Sequence, residues 1–173
     1  MIYKLIGCIF VIASCSGIGM YYSGEFRVRL EDMKELKKMI ILLRGDIRYA
    51  NTPLPEAISS IARKNNGRFE KFFVFISNKL NDFPGVTFAS VWKESVETNL
   101  NQTAINKKDK VDLVQFGESL GYLDKDMQIN TLDLYLEQLE NVINDLLGNV
   151  KEKTYLYNTL GVMAGLFISI IMM

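Results

Sequence analysis

Acidic side chains are the groups in this sequence whose number and spacing could support chemistry. Residues 109–145 hold nine Asp or Glu against two Lys. Paired carboxylates act as general acids and bases in glycoside hydrolysis, and carboxylate oxygens bind Mg²⁺. The sequence has no His, which is the usual general base and a common metal ligand, and no Gly-rich phosphate-binding loop. We therefore predict a protein without enzymatic activity, cofactor or metal.

The two cysteines offer no alternative chemistry. Cys8 and Cys15 both lie in the first apolar stretch of the chain. This placement argues against a zinc site and against a structural disulfide. Basic and acidic residues are equal in number, 20 of each, which does not suggest a nucleic-acid-binding protein.

The charges are distributed unevenly, because residues 25–108 hold fifteen Lys or Arg against ten Asp or Glu. The acidic helices that follow could neutralise these basic ones within the fold. Alternatively, they form an acidic face for a basic partner. The residues that we predict for such a partner-binding face are Glu118, Asp124, Asp126, Gln128, Asp133, Glu137 and Glu140.

Both ends of the chain are apolar and nearly free of charge, and we predict that residues 1–23 and 154–173 are transmembrane helices. Arg27 and Arg29 follow the first segment, and Lys151 and Lys153 precede the second. Positive charge on this side of both segments predicts a cytoplasmic domain over residues 24–153, held at the cell membrane.

A signal peptide is the alternative for the first segment. Ile12-Ala13-Ser14-Cys15 resembles a bacterial lipobox, with Lys4 ahead of it. In that case the protein would be an exported lipoprotein acylated at Cys15, acting as an extracytoplasmic binding module.

Small residues four apart in the second apolar segment, Gly161 and Gly165, permit close helix packing in lipid. They could bring the two spans together or join protomers in a homo-oligomer. Glycine is also simply frequent in membrane helices.

The middle of the chain shows apolar residues at intervals of three and four, which predicts an all-α fold with about six helices. Thr52 is predicted to cap a helix with Pro53 at its first position and Glu56 in its first turn. Asp124 is predicted to cap the last helix, and residues 99–106 to connect helices rather than pack. The aromatic residues that helical spacing assigns to the core are Phe69, Phe72, Phe73 and Trp92.

An ordered set of motifs carries a family resemblance along the whole chain. Between the apolar ends stand Thr52-Pro53-Leu54-Pro55-Glu56-Ala57, Trp92, Thr103-Ala104, Phe116-Gly117-Glu118-Ser119-Leu120-Gly121, Asp124 and Gln128. Together they resemble the stage III sporulation protein AB family. The glycines of this set could permit close packing or end a helix, and the corner from Gly117 to Gln128 could be structural or could dock a partner.

The resemblance implies a membrane protein of endospore-forming bacteria, made in the mother cell and lying in the membrane around the forespore. It further implies a cytoplasmic domain similar to those of type II secretion and type IV pilus platform proteins. Such a protein would be a scaffold or adaptor that couples a cytoplasmic secretion-type ATPase, similar to stage III sporulation protein AA, to the other membrane components of a mother cell–forespore channel.

Overall fold

The computed structural model describes the backbone of residues 2–83, 85–121 and 124–172. It describes the side chains of residue 24, of residues 26–83, 85–121 and 124–149, and of Thr159 and Met163. Within these ranges the chain forms six helices and no strand, which confirms the predicted all-α class. The helices are α1 (Ile2–Arg48), α2 (Leu54–Lys64), α3 (Glu70–Asp82), α4 (Phe88–Thr98), α5 (Lys107–Leu120) and α6 (Lys125–Met172).

The chain divides into two compact units, residues 31–143 and residues 1–30 with 144–173. In the first unit, the apolar stripes predicted from the sequence form the core. Met33, Leu36 and Ile40 of α1 are buried, as are Leu132 and Leu139 of α6.

The predicted aromatic core is confirmed, because Phe69, Phe72, Phe73 and Trp92 are all fully buried. The ring of Trp92 meets that of Phe72 edge-on, with 4.9 Å between ring centroids. Edge-to-face pairs at such distances add to the stability that burial alone provides. The cluster thus joins α3 and α4 within the unit.

The start of α2 differs from the prediction, because the helix begins at Leu54 and not at Pro53. Pro53 has extended backbone (φ −59°, ψ 148°) and occupies the capping position, where it makes no side-chain hydrogen bond. Its carbonyl accepts the first helical hydrogen bond, from the N–H of Ala57 at 2.9 Å. Pro55 fits the first turn because N–H groups there have no partner within the helix. The predicted cap at Thr52 is therefore wrong, whereas Glu56 lies in the first turn as predicted.

The segment from residue 99 to residue 106 connects α4 and α5, but it also packs. Leu100 and Ile105 are both buried in the core. The backbone N–H of Ala104 donates to the carboxylate of Asp32 in α1, with 2.6 Å between the atoms. The prediction of a merely connecting segment is wrong because two apolar side chains within a polar stretch are enough to anchor it.

The second unit comprises the terminal segments, through which the backbones of α1 and α6 are helical. Across the portion that the structure describes, no helix combines the length and the apolar character that a membrane crossing needs. The side chains of the two predicted spans lie almost entirely outside that portion. The same holds for Cys15, Gly161 and Gly165, so the predictions made for these residues stay predictions.

Candidate docking surface on helices α5 and α6

Helix α5 begins with two reciprocal hydrogen bonds that fix its first turn. The N–H of Asp109 donates to Oδ1 of Asn106 at 2.8 Å, and the N–H of Asn106 donates to Oδ2 of Asp109 at 2.9 Å. This arrangement satisfies backbone N–H groups that would otherwise lack a partner at the helix start. It sets which side chains of α5 face the core.

Trp92 and Gly117 fix how closely α5 approaches α4. The indole Nε1 of Trp92 donates to the carbonyl of Leu113 at 2.8 Å. A Cβ atom added at Gly117 would lie 2.0 Å from Cδ1 of the Trp92 ring, so only glycine leaves room for the indole. A Cβ at Gly121 would also be tight, at 3.2–3.3 Å from Phe88 and Ala89. Both glycines therefore serve close packing, and Gly121 has ordinary helical backbone (φ −70°).

The corner between α5 and α6 is held by two polar side chains. The carboxylate of Asp124 accepts from the N–H of Met127 at 2.9 Å, which confirms the predicted cap of α6. The side-chain amide of Gln128 donates to the carbonyl of Leu120 at 3.4 Å. Free carbonyls at a helix end need such donors. Both residues thus contribute to the geometry of the corner.

An open groove of about 280 Å³ runs between α5 and α6. The rings of Phe116 and Tyr135 line it and stack on each other, with 4.2 Å between centroids and 15° between planes. Leu134 also lines it and is 64% exposed. The polar side chains that line the groove are Asp112, Gln115, Ser119, Thr131 and Gln138. Among the described residues that line the groove, Asp112 is the acidic one and none is basic.

Tyr135 is a buried polar residue between this groove and a smaller cavity of about 20 Å³, which Asp109 and Asp112 also line. Its side chain is 5% exposed, yet its hydroxyl makes no hydrogen bond with any residue that the structure describes. Burial raises the pKa of the hydroxyl, and the carboxylates of Asp112 and Asp109 raise it further. The hydroxyl thus remains a proton donor at neutral pH.

Two of the predicted partner-binding acids are engaged within the unit. The carboxylate of Asp133 lies 2.5 Å from a guanidinium nitrogen of Arg44 and 3.9 Å from one of Arg48. Glu140 pairs with Lys37. For these two residues, neutralisation of basic side chains within the fold describes what the structure shows.

Three other predicted acids, Glu118, Asp126 and Glu137, are exposed and form no ion pair in the described ranges. Asp126 lies in the first turn of α6, where the helix dipole favours a negative charge. Glu118 lines a second open groove, between α4 and α5, together with Lys93 and Lys110. Among the described residues, no three metal-ligating side chains come together.

Comparison with known proteins identifies the family of this chain. A family model for stage III sporulation protein AB matches residues 4–173. The chain belongs to the stage III sporulation protein AB family. The stage III sporulation protein AB of Bacillus subtilis (strain 168) is 25% identical over 170 residues, which cover 98% of this chain and 99% of that protein. A solved structure of a stage III sporulation protein AB has a TM-score of 0.64 at 25% identity and covers 71% of this chain and 96% of that one.

The residues that carried the resemblance to the stage III sporulation protein AB family are therefore mostly ones that shape the domain. Trp92 and Gly117 set the packing of α4 on α5, Phe116 and Leu120 are buried in the core, and Gln128 joins the ends of α5 and α6. Their placement favours a structural reading of the corner from Gly117 to Gln128. It leaves the partner-binding prediction to the exposed acids around it.

Two features of the structure were not predicted from the sequence, the groove and a pair of acids on α1 that accept backbone hydrogen bonds. The polar residues 112, 115 and 119 of α5 follow the spacing of one helical face, as do residues 131 and 138 of α6, so periodicity contained the signal. The two acids are Asp32, which is buried, and Glu35, which is half-buried. Both stand next to the apolar stripe at a spacing of three, which looks like an ordinary solvated helix edge.

Proposed function

We propose that this protein is a membrane-anchored adaptor of the channel complex between mother cell and forespore. It couples a cytoplasmic secretion-type ATPase, similar to stage III sporulation protein AA, to the other membrane components of that channel. The observation that supports docking best is the open groove on α5 and α6, which offers a carboxylate without a basic partner among the groove-lining residues. Membership of the stage III sporulation family supports the cellular setting.

The helices that form the groove are held rigidly within the domain. The capping box at Asn106, the Trp92–Gly117 contact and the Phe116–Tyr135 stack fix α5 against its neighbours. A rigid surface loses little conformational freedom when a partner binds, so more of the contact energy remains as affinity. This suits an adaptor, whose function is binding without chemistry.

In this proposal the terminal segments 1–23 and 154–173 cross the membrane and hold the domain on the cytoplasmic side. Helices α1 and α6 each continue from the docking domain into one of these segments. A helix backbone can transmit a rotation or a shift from one end to the other. Coupling would be a free energy that links ATPase docking to the arrangement of the two terminal helices.

Topology is tested with single cysteines at Asn78 and Asn101 in a chain that lacks Cys8 and Cys15. Both positions are exposed, whereas the neighbouring Ser77 is buried and would resist labelling on either side of the membrane. We expect a membrane-impermeant thiol reagent to label both sites only after the cells are opened. Labelling in intact cells would contradict the cytoplasmic placement and the adaptor function with it.

Docking is tested by co-purifying the full chain, in a neutral detergent, with the secretion-type ATPase of the same bacterium. We expect charge reversal at two exposed acids, Asp126→Lys with Glu137→Lys, to weaken the complex at low salt, because opposite charges steer association. Reversal of an exposed basic residue, Lys71→Glu, is the matched control and should leave the complex intact. Absence of any complex with the unaltered chain would refute ATPase coupling.

A further inference from the structure

The groove between α5 and α6 has a chemical character that narrows the class of its occupant. The polar side chains that line it can all accept hydrogen bonds, and the carboxylate of Asp112 accepts only; the others are the amides of Gln115 and Gln138 and the hydroxyls of Ser119 and Thr131. An anion would meet the Asp112 carboxylate, and none of the described residues that line the groove is basic. Charge complementarity therefore favours a cation with several N–H donors.

Tyr135 adds an independent observation that points to a ligand. Its side chain is more than nine-tenths buried, it lines the groove, and its hydroxyl finds no partner among the residues that the structure describes. The hydroxyl is not among the buried atoms that lack a hydrogen-bond partner, so solvent reaches it and its oxygen can accept a hydrogen bond from an incoming donor. The nearby carboxylates of Asp112 and Asp109 make that place electronegative.

The apolar part of the groove distinguishes guanidinium from ammonium. Phe116 and Tyr135 line the groove with rings that stack on each other and are each 5% exposed, and Leu134 lines it with a side chain that is 64% exposed. A guanidinium group is planar, is more weakly hydrated than an ammonium group and donates five hydrogen bonds in a fixed fork. The methylene groups of an arginine side chain would lie along Leu134. An ammonium group is strongly hydrated and gains less from such surroundings.

We propose that the groove between α5 and α6 receives an arginine side chain of a partner protein, with Asp112 as its carboxylate and Tyr135 as a second polar contact. The inference rests on the proposed docking function and specifies the chemistry of the partner. It moves the centre of the docking surface from the acids predicted on α6 to Asp112. Glu118, on the same helix, faces the other groove and takes no part.

The test uses the full chain in a neutral detergent and a pair of labelled helical peptides, followed by fluorescence anisotropy. The peptides are alanine-based, carry one leucine and one arginine four residues apart, and differ only in the replacement of arginine by citrulline. Citrulline keeps the shape of arginine and removes its charge. We expect the arginine peptide to bind about tenfold more tightly than the citrulline peptide, as a charge-assisted pair provides.

Three variants locate that preference. Asp112→Asn should reduce the tenfold ratio to less than about twofold, since the carboxylate supplies most of it. Tyr135→Phe should weaken the arginine peptide by about threefold, the effect of one neutral hydrogen bond. Glu118→Gln removes an equal charge outside the groove and should leave the ratio unchanged. Unfolding curves followed by circular dichroism show that each variant remains folded.

Equal binding of the two peptides to the unaltered chain would overturn the inference. So would a loss with Glu118→Gln as large as that with Asp112→Asn, since the preference would then reflect general acidity. Co-purification of the ATPase separates this inference from the proposed function. A complex that Asp112→Asn leaves intact overturns the arginine groove and retains the adaptor. An arginine preference without any ATPase complex retains the groove and overturns the adaptor.

Discussion

Two groups of carboxylates in the unit of residues 31–143 are used in opposite ways. On α1, Asp32 and Glu35 are turned towards the loops that join other helices. Asp32 is 1% exposed and binds both the backbone N–H of Ala104 and the guanidinium of Arg68. Glu35 accepts from the backbone N–H groups of Arg68 and Phe69, at 3.3 Å each. These two acids hold the α2–α3 and α4–α5 connections against α1.

On α5 and α6, by contrast, Asp112, Glu118 and Glu137 contact no such backbone groups and form no ion pair in the portion of the chain that the structure describes. A carboxylate that accepts from loop N–H groups contributes to the fold, because those groups would otherwise be buried without a partner. One that faces a groove or solvent adds little to stability and remains available. The two groups of acids have the same residue types. They differ in whether backbone N–H groups lie within hydrogen-bonding distance of the carboxylate.

The largest effect that this comparison predicts is at Asp32. Asp32→Ala should lower the free energy of unfolding by about 2–3 kcal/mol, because the N–H of Ala104 and the guanidinium of Arg68 both lose the carboxylate that accepts their hydrogen bonds. Glu118→Ala is the matched control and should change stability by less than about 0.5 kcal/mol, as expected for an exposed side chain. Urea unfolding of the full chain in neutral detergent, followed by the fluorescence of Trp92, measures both. Equal losses would erase the distinction between the two groups.

Gly67 lies against the carboxylate of Glu35, so a substitution of Gly67 tests the hydrogen bonds that Glu35 accepts. A Cβ atom added there would lie 2.0 Å from Oε1 of Glu35, so alanine would displace the carboxylate from its N–H donors. We expect Gly67→Ala to reduce the free energy of unfolding by about 1–2 kcal/mol. The substitution weakens two backbone hydrogen bonds to a charged acceptor, and the flexible Glu35 side chain can partly re-form them. Gly45→Ala is a suitable control, because nothing lies within 4 Å of the added Cβ. It should stabilise α1 by about 0.5–1 kcal/mol.

Asp133 represents an intermediate case, an acid of α6 that is paired at the surface. Its pair with Arg44 is close, but the two side chains are 41% and 32% exposed. Asp133→Asn should therefore lower the free energy of unfolding by only about 0.5 kcal/mol, and less at high salt. The same urea experiment at two salt concentrations measures it. A loss comparable to that of Asp32→Ala would show that α6 acids also hold the fold.

Sequence reasoning could identify the helices and the core but could not separate these groups of acids. The periodicity of apolar residues gave the stripes of α1 and α6 because burial of one helix face depends on nearby positions. The hydrogen bond from Ala104 to Asp32 joins residues 72 positions apart, and no local pattern encodes such a contact. The cap at Thr52 was misplaced for a related reason, since Pro53 keeps an extended backbone and moves the helix start to Leu54. Gly117 was found as a motif, but its reason, the indole of Trp92, required the packed structure.

The smallest predicted effect is a dependence of stability on pH. It tests whether burial or the neighbouring hydrogen-bond donors determine the pKa of Asp32. Burial raises the pKa of Asp32 above its ordinary value of 3.8, and the N–H of Ala104 and the charge of Arg68 oppose that rise. The folded protein thus holds this proton at pH values where the unfolded chain has released it. Because the folded state then binds more protons, the contribution of Asp32 to stability falls as pH rises through that window.

Asp32→Asn isolates this contribution, since asparagine has no proton to release. We expect the unaltered chain to lose stability relative to this variant as pH rises from about 3 to about 6, in urea unfolding curves at each pH. A trend of opposite sign would mean that Ala104 and Arg68 outweigh burial and favour the anion. Asp32 would then be a stabilised charge, and it would owe its role to ion pairing with Arg68 as much as to the backbone N–H of Ala104.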